Sequence, residues 1–199
     1  MAIEFKYNKS SLHEMRGHLK IRENALPTLK SKEAALRIEV KKAKLAAEDF
    51  DKQLNEKLHD IRMMTRLWSE FDSGLVKIKK GNYSTRTIAG VKIPVLEDIE
   101  FDIADISLYY NPNWFLDGLQ ILKDLTYLTL QKEVNMKAME ILNYARKKTT
   151  QKVNLYEKVQ IPEYNAAISK IKRYLEDEEN LSKSAQKILK RRNEQKLSA

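Results

Sequence analysis

SKEAALRIEVKKAKLAAEDFDKQL, residues Ser31 to Leu54, decides the fold. Its apolar positions Leu36, Val40, Ala43, Ala47, Phe50 and Leu54 follow one another in alternating steps of four and three. That is a 3.5-residue period, and a helix of 3.6 residues per turn keeps such a stripe on one side only by supercoiling left-handedly about a partner. The pattern therefore predicts a coiled-coil helix rather than one face of a compact domain.

The same two lanes extend outward in both directions. One reads Leu12, Leu19, Leu26, Glu33, Val40, Ala47, Leu54, Ile61, Trp68 and Leu75; the other reads Met15, Arg22, Leu29, Leu36, Ala43, Phe50, Lys57, Met64, Phe71 and Ile78. Continuous helix over 12–78 would span about 100 Å at about 1.5 Å per residue. Arg22, Glu33 and Lys57 interrupt the seam and are expected to weaken it locally or to fix its register. Pro27 lacks a backbone donor, so a kink or a false start is expected there.

A second helical arm opens at NPNWFLDGL, where Asn111 can cap and Pro112 can take the first helical position. Apolar residues are dense and irregular over Leu116–Leu142, the pattern of burial on more than one face. A regular seam returns with Ile161, Ile168, Leu175 and Leu189 in one lane and Tyr164, Ile171 and Ala185 in the other. Pro162 lies inside that seam, so it should kink the helix without ending it.

Between the arms, TIAGVKIPVLEDIEF (Thr87–Phe101) reads as extended chain. Val91, Ile93 and Val95 alternate with Gly90, Lys92 and Pro94, the two-residue period of a short half-exposed strand, and Leu96–Phe101 is the expected returning mate. A lone hairpin is marginal in water, so it should lean on the helices or on a partner. The fold expected is all-α: a long antiparallel two-helix coiled coil with a short β-hairpin insert between the helices. Its parts are residues 1–80, 81–112 and 113–199, one structural unit. A parallel homodimer is the alternative, which the unequal regularity of the two arms disfavours.

Composition agrees with long helices: one third of the 199 residues are charged, with only 5 Gly and 4 Pro. The net charge of +9 is uneven, with basic arms flanking an acidic middle. No cysteine is present, which excludes disulfides and thiolate metal sites and suits a reducing cytosol. No apolar run approaches the roughly 20 residues of a membrane span, and the first ten residues have no apolar signal core, so a soluble, unexported chain is expected.

Three segments carry a resemblance. IAGVKIP (Ile88–Pro94) resembles the GVKVP-type segment of the D subunits of V-type and A-type rotary ATPases, where a small β element interrupts a long two-helix coil. Ser10–Leu36 is similar to that family's opening helix at Leu12, Leu19, Leu29, Lys30, Lys32 and Leu36. Lys152–Pro162 resembles its VNALE…IP segment at Val153, Asn154, Glu157, Ile161 and Pro162. The chain departs from the family at Pro27 and after the C-terminal kink, where only EDEENLSKSAQKILKRR stands.

The resemblance implies a central-stalk rotor component of a V/A-type ATPase that is not itself catalytic. It implies a catalytic A/B hexamer, the small F component of the stalk and the C/d funnel component as partners. It also implies a peripheral place on the cytoplasmic side of the cell membrane. No homo-oligomer is required.

Other chemistries lack their residues. No two glycines precede Lys and Ser/Thr at phosphate-loop spacing, and no cofactor is expected. His13, His18 and His59 share no metal-ligand spacing, and consecutive Glu176–Glu179 point around a helix axis and cannot converge. Phe50, Trp68 and Phe71 fall in the apolar lanes rather than standing free to stack on bases, so no nucleic-acid partner is expected. A coiled-coil chaperone or adaptor resembling prefoldin is the alternative function, disfavoured by the length of the arms. The candidate partner contacts are Lys187, Lys190, Arg191 and Arg192, placed at a tip inside the hexamer, and Trp114, either closing the rod's end or docking another stalk component.

Overall fold

A computed structural model of the chain describes residues 4–63, 68, 71, 73–104, 112 and 114–197. The elements in order are helix α1 (Lys9–Met63), a 3-10 turn (Ser73–Leu75), strand β1 (Val76–Ile88), strand β2 (Val91–Ile103), helix α2 (Trp114–Leu155), a π turn (Tyr156–Gln160) and helix α3 (Ile161–Leu197). The chain is mostly helical, with one antiparallel hairpin between its helices. It divides into two compact units, residues 1–31 with 149–199 and residues 32–148.

In the first unit the Asn8 side chain caps α1 by accepting from the Ser11 N–H at 2.7 Å, the N3 bond of a capped helix. Met15 on α1 is buried with Tyr164, Ile168 and Ile171 of α3, and Leu12, Leu19 and Leu175 pack against them. Polar pairs fix the direction. Arg22 binds Gln160, and Lys30 Nζ lies 2.7 Å from Glu157 Oε1, so α1 runs antiparallel to its partner.

In the second unit Lys132 Nζ lies 2.5 Å from Asp51 Oδ1 and Lys57 Nζ 2.5 Å from Asp124 Oδ2, again an antiparallel order. Leu36 of α1 and Leu142 of α2, 0% and 1% exposed, centre a cluster with Ala138 and Ile93 of β2. Leu96 and Ile99 of β2 form a second cluster with Val134, flanked by Leu130 and Phe101. The hairpin is thus part of this unit's core, because its apolar face has nowhere else to go.

Four expectations need correction. The heptad lanes overrun the helical arm: Leu75 sits in the 3-10 turn, and Ile78 is on β1 and half exposed. The insert therefore starts at Val76 rather than residue 81. The matches of Leu75 and Ile78 to the heptad are fortuitous, since VKIKKGNYSTRTI carries the β-branched and aromatic residues of a strand. Met64 lies outside the described residues.

Second, Leu96–Phe101 is not the mate of Val91–Val95, because both lie on β2 and the mate is β1. The turn is Ala89–Gly90, both with positive φ (49° and 75°), the geometry of a two-residue hairpin loop with primed-turn twist. Alternation misled because the pairing shifts between Asn82–Asp98 and Tyr83–Leu96, which makes Glu97 an extra residue and sets Leu96 and Ile99 on one face.

Third, no false start occurs at Pro27: α1 begins at Lys9 and continues through it, and Pro27 is exposed, so water can satisfy the carbonyl that loses its donor. At Pro162 the helical path also continues, but the turn before it is π: the Ile161 N–H donates to Tyr156 O. Fourth, Ala185 and Leu189 are not packed in a seam, being exposed on α3.

Candidate interaction surfaces

A long uncovered stretch among the described residues is the end of α3. Every residue from Glu176 through Gln195 is exposed. The physical reason lies in the facing helix. α1 begins at Lys9, which shares a groove with Glu178, Glu179 and Ser182, so past that point α3 has no α1 residue to face. Residues 183–197 extend about 22 Å further at about 1.5 Å per residue.

That extension is amphipathic. Leu181, Ala185, Ile188 and Leu189 stand at i, i+4, i+7 and i+8, one face of a helix, with Leu181 72% and Leu189 59% exposed. Lys183, Lys187, Lys190, Arg191 and Arg192 are interspersed and exposed. Glu179 and Lys183 pair at 2.6 Å, one turn apart, and that hydrogen bond, then the Lys183 charge, lowers the Glu179 pKa. The sign of charge changes here from acidic Glu176–Glu179 to basic beyond. Of this stripe, Ala185 and Leu189 carry the heptad spacing in the sequence and Leu181 and Ile188 do not; what the sequence also does not show is that the partner helix stops short.

The second surface is aromatic. Trp68 and Phe71 contact Trp114, with ring centroids 5.9 and 5.8 Å apart, and Phe71 and Trp114 both meet Phe115. A Cβ on Gly118 would lie 3.0 Å from the Phe71 ring, so glycine opens the notch in which that ring sits. Phe115 is buried, whereas Trp68, Phe71 and Trp114 keep partly exposed edges. Tyr109, Tyr110 and Asn111 lie outside the described residues.

Leu36, Ala47, Ile93, Ile168 and Ile171 are buried. Leu12, Leu19, Leu29, Val40, Ala43, Phe50, Leu54, Ile61, Ile161 and Leu175 are half-buried, as are Val91 and Pro94 on β2, while Gly90 is exposed at the turn. Seam positions Arg22 and Lys57 are also half-buried, each bonded across to the partner helix, at Gln160 and Asp124. The Lys57 hydrogen bond, assisted by Gln120, holds the Asp124 carboxyl below its ordinary pKa against a smaller opposing effect of burial. No helix among the described residues is long and apolar enough to cross a membrane.

Residues 11–191 match the family model for the D subunit of ATP synthase. The chain belongs to that family. It is 30% identical over 190 residues to the V-type ATP synthase D subunit of Borreliella burgdorferi, covering 94% of each chain. It is 29% identical over 182 residues to the same-named protein of Chlamydia pneumoniae, covering 89% of this chain and 87% of that one. The Chlamydia abortus protein of that name is 26% identical over 201 residues, with 98% and 97% covered. In this member of the D family the match takes in the hairpin and both helical arms, including α3 through Arg191.

Proposed function

We propose that this D subunit is the central rotor stalk of a V/A-type rotary ATPase, carrying torque between the ATP-hydrolysing or ATP-synthesising hexamer and a membrane ion-translocating ring. The observation that carries the reading is the uncovered, basic, amphipathic end of α3. An isolated helix of this length is marginal in water, and its exposed leucines and isoleucine call for a surrounding surface. A hexamer enclosing the end provides one, and its acidic loops would attract Lys187, Lys190, Arg191 and Arg192 while remaining screened enough to slide.

In this role the chain is not itself catalytic. The A/B hexamer hydrolyses ATP, and the stalk presses on its members in turn through an asymmetric outline. Ala43 and Ala47 thin the helix pair, whereas Phe50 thickens it. Trp114 and its aromatic neighbours dock a further stalk component, either the C/d funnel or the small F component. The complex places the chain peripherally on the cytoplasmic face of the membrane.

The experiment is native mass spectrometry of the complex recovered from detergent-solubilised membranes through a tag on this chain. One copy bound to a hexamer of two alternating nucleotide-binding chains is the expected result. Recovery with RNA, or with a small hexameric chaperone, refutes the rotor reading.

A further inference from the structure

The chain before α1 does not run straight on from the helix. Phe5 packs against the cluster of Met15, Tyr164, Ile168 and Ile171. A chain continuing along the helix axis would put residues ten positions apart at least about 15 Å from one another, so the segment doubles back along α1. A tight turn makes the reversal, with the Asn8 N–H donating to the Lys6 carbonyl at 3.0 Å across Tyr7.

The returning segment is held on both helices. The Lys6 N–H donates to Ser11 Oγ of α1 at 3.2 Å, and Ser11 is 7% exposed. The Phe5 and Tyr7 rings meet edge to face with centroids 5.4 Å apart, and Tyr7 in turn lies 4.9 Å from the ring of Tyr174 on α3. All of these residues belong to the unit of residues 1–31 and 149–199.

Helix capping accounts for only part of this arrangement. The Asn8 side chain accepts from the Ser11 N–H, as an N-terminal cap does. A cap does not require the Ser11 hydroxyl to accept from a residue five positions back, nor an aromatic ring laid against Met15, nearly two turns into α1. A buried hydroxyl needs a partner, and here the partner is the backbone of the returning segment.

We infer that residues 4–8 are a strap that fastens the start of α1 to α3, and that it opens separately from the helices beneath it. Its contacts are few, and Tyr7 and Tyr174 are each about half exposed, the features of a local element of low stability. The strap lies just before the point at which α3 loses its facing helix. Leu12 and Leu175 line one groove there, so fraying of the first two turns of α1 adds Leu175 to the uncovered face of α3. The docked strap therefore sets where the uncovered stretch begins, whatever surrounds it.

Amide hydrogen exchange of the full chain tests this. Ser11→Ala removes the acceptor of the strap's N–H, whereas Ser10→Ala replaces an exposed neighbour. Alanine is the better helix former, so helix propensity alone predicts unchanged or slower exchange over Leu12–Leu19 in both variants. With the strap fastened through Ser11, Ser11→Ala should instead speed that exchange about three- to tenfold, and Ser10→Ala should not. Phe5→Ala should speed it by about tenfold or more, while the amides of Leu36 and Leu142 in the other unit keep the parent's rates. In the parent, the Lys6 amide should exchange more slowly than in an unstructured peptide and faster than that of Ile171.

Ser11→Ala exchanging no faster than Ser10→Ala overturns the Ser11 latch. Unchanged exchange over Leu12–Leu19 in Phe5→Ala, or a parent Lys6 amide as fast as in an unstructured peptide, overturns the strap. A Lys6 amide as slow as that of Ile171, or failure of Phe5→Ala to fold, overturns its separate opening.

Discussion

Leu36 and Ile93 sit in the same cluster, and shortening each to Ala removes three carbons, yet the two substitutions should cost different amounts. The loss of transfer free energy is about 2.4 kcal/mol in both, at about 0.8 kcal/mol per buried carbon. Ile93 lines an open cavity of about 300 Å³ that is rimmed by Glu39, Arg86 and Gln131, so water enters the vacated space and little further cost arises. Leu36 does not line that cavity and is 0% exposed, so its removal also leaves a void, which adds about 24 cal/mol per Å³ and brings the loss to about 3–5 kcal/mol. For a chain of this size the shifts are about 5–10 °C for Ile93→Ala and about 10 °C or more for Leu36→Ala. Thermal unfolding followed by tryptophan fluorescence is the assay, because Trp68 and Trp114 both belong to the unit of residues 32–148. Equal losses, the reverse order, or either loss below about 1 kcal/mol would refute the assignment of the hairpin as core at this point.

Asp124→Asn should lower stability by about 0.2–1 kcal/mol, small because Asp124 and Lys57 are each about 40% exposed and screened. Asp124 has a folded pKa below its ordinary value of 3.8, so the pair's contribution is present above that value and is lost as pH falls through the lower folded one; chemical denaturation at pH 7 and at pH 2 should show a larger deficit of the variant at pH 7. Ala89→Gly should stabilise by about 0.5–1 kcal/mol, because Ala89 adopts φ 49°, whereas Gly90→Val should destabilise by more than that; a stabilising Gly90→Val measured by melting would contradict the turn. Reversing Lys187, Lys190, Arg191 and Arg192 to Glu should leave far-ultraviolet dichroism near the parent's and lower ATP turnover of the assembled complex. Unchanged turnover refutes the proposed contact of that end with the hexamer.

Helical character and seam were legible because heptad spacing is a local property of the chain. From Leu36 to Ile61 both lanes are buried or half-buried, including the polar break at Lys57, which becomes a pair with Asp124. Where those lanes end was not legible, since Leu75 and Ile78 continue the spacing while belonging to a turn and a strand. β1 was missed for a different reason: most of it is exposed, Ile78 and Tyr83 included, and apart from Ile88 the hairpin's core contacts come from β2. Pro162 signalled a disturbance, but the π turn at Tyr156–Gln160 has no buried residue and so leaves no apolar pattern of its own in the sequence. The uncovered end of α3 depends on where another helix starts, a long-range fact absent from the local pattern of Leu181, Ile188 and Leu189.

The basic end of α3 has a simpler explanation that must be weighed against a contact surface. Cations near a helix C-terminus interact favourably with its dipole, by about 0.3–1 kcal/mol, within the last turn. Arg192 and its neighbours lie near that range, and their charge alone calls for no partner. Lys183 and Lys187 lie at least ten residues before Leu197, beyond the reach of the dipole, and Lys183 already pairs with Glu179. The dipole also has nothing to say about Leu181, Ile188 and Leu189, each more than half exposed on one face. Apolar exposure and remote cations together separate the two explanations: Leu181, Ile188 and Leu189 replaced by Gln should leave the helix intact yet weaken assembly, while replacing only Arg191 and Arg192 by Gln should change helicity slightly and assembly less. If the glutamine face assembles as well as the parent, the end of α3 is a solvated helix terminus, and the rotor contact has to be sought at the aromatic cluster instead.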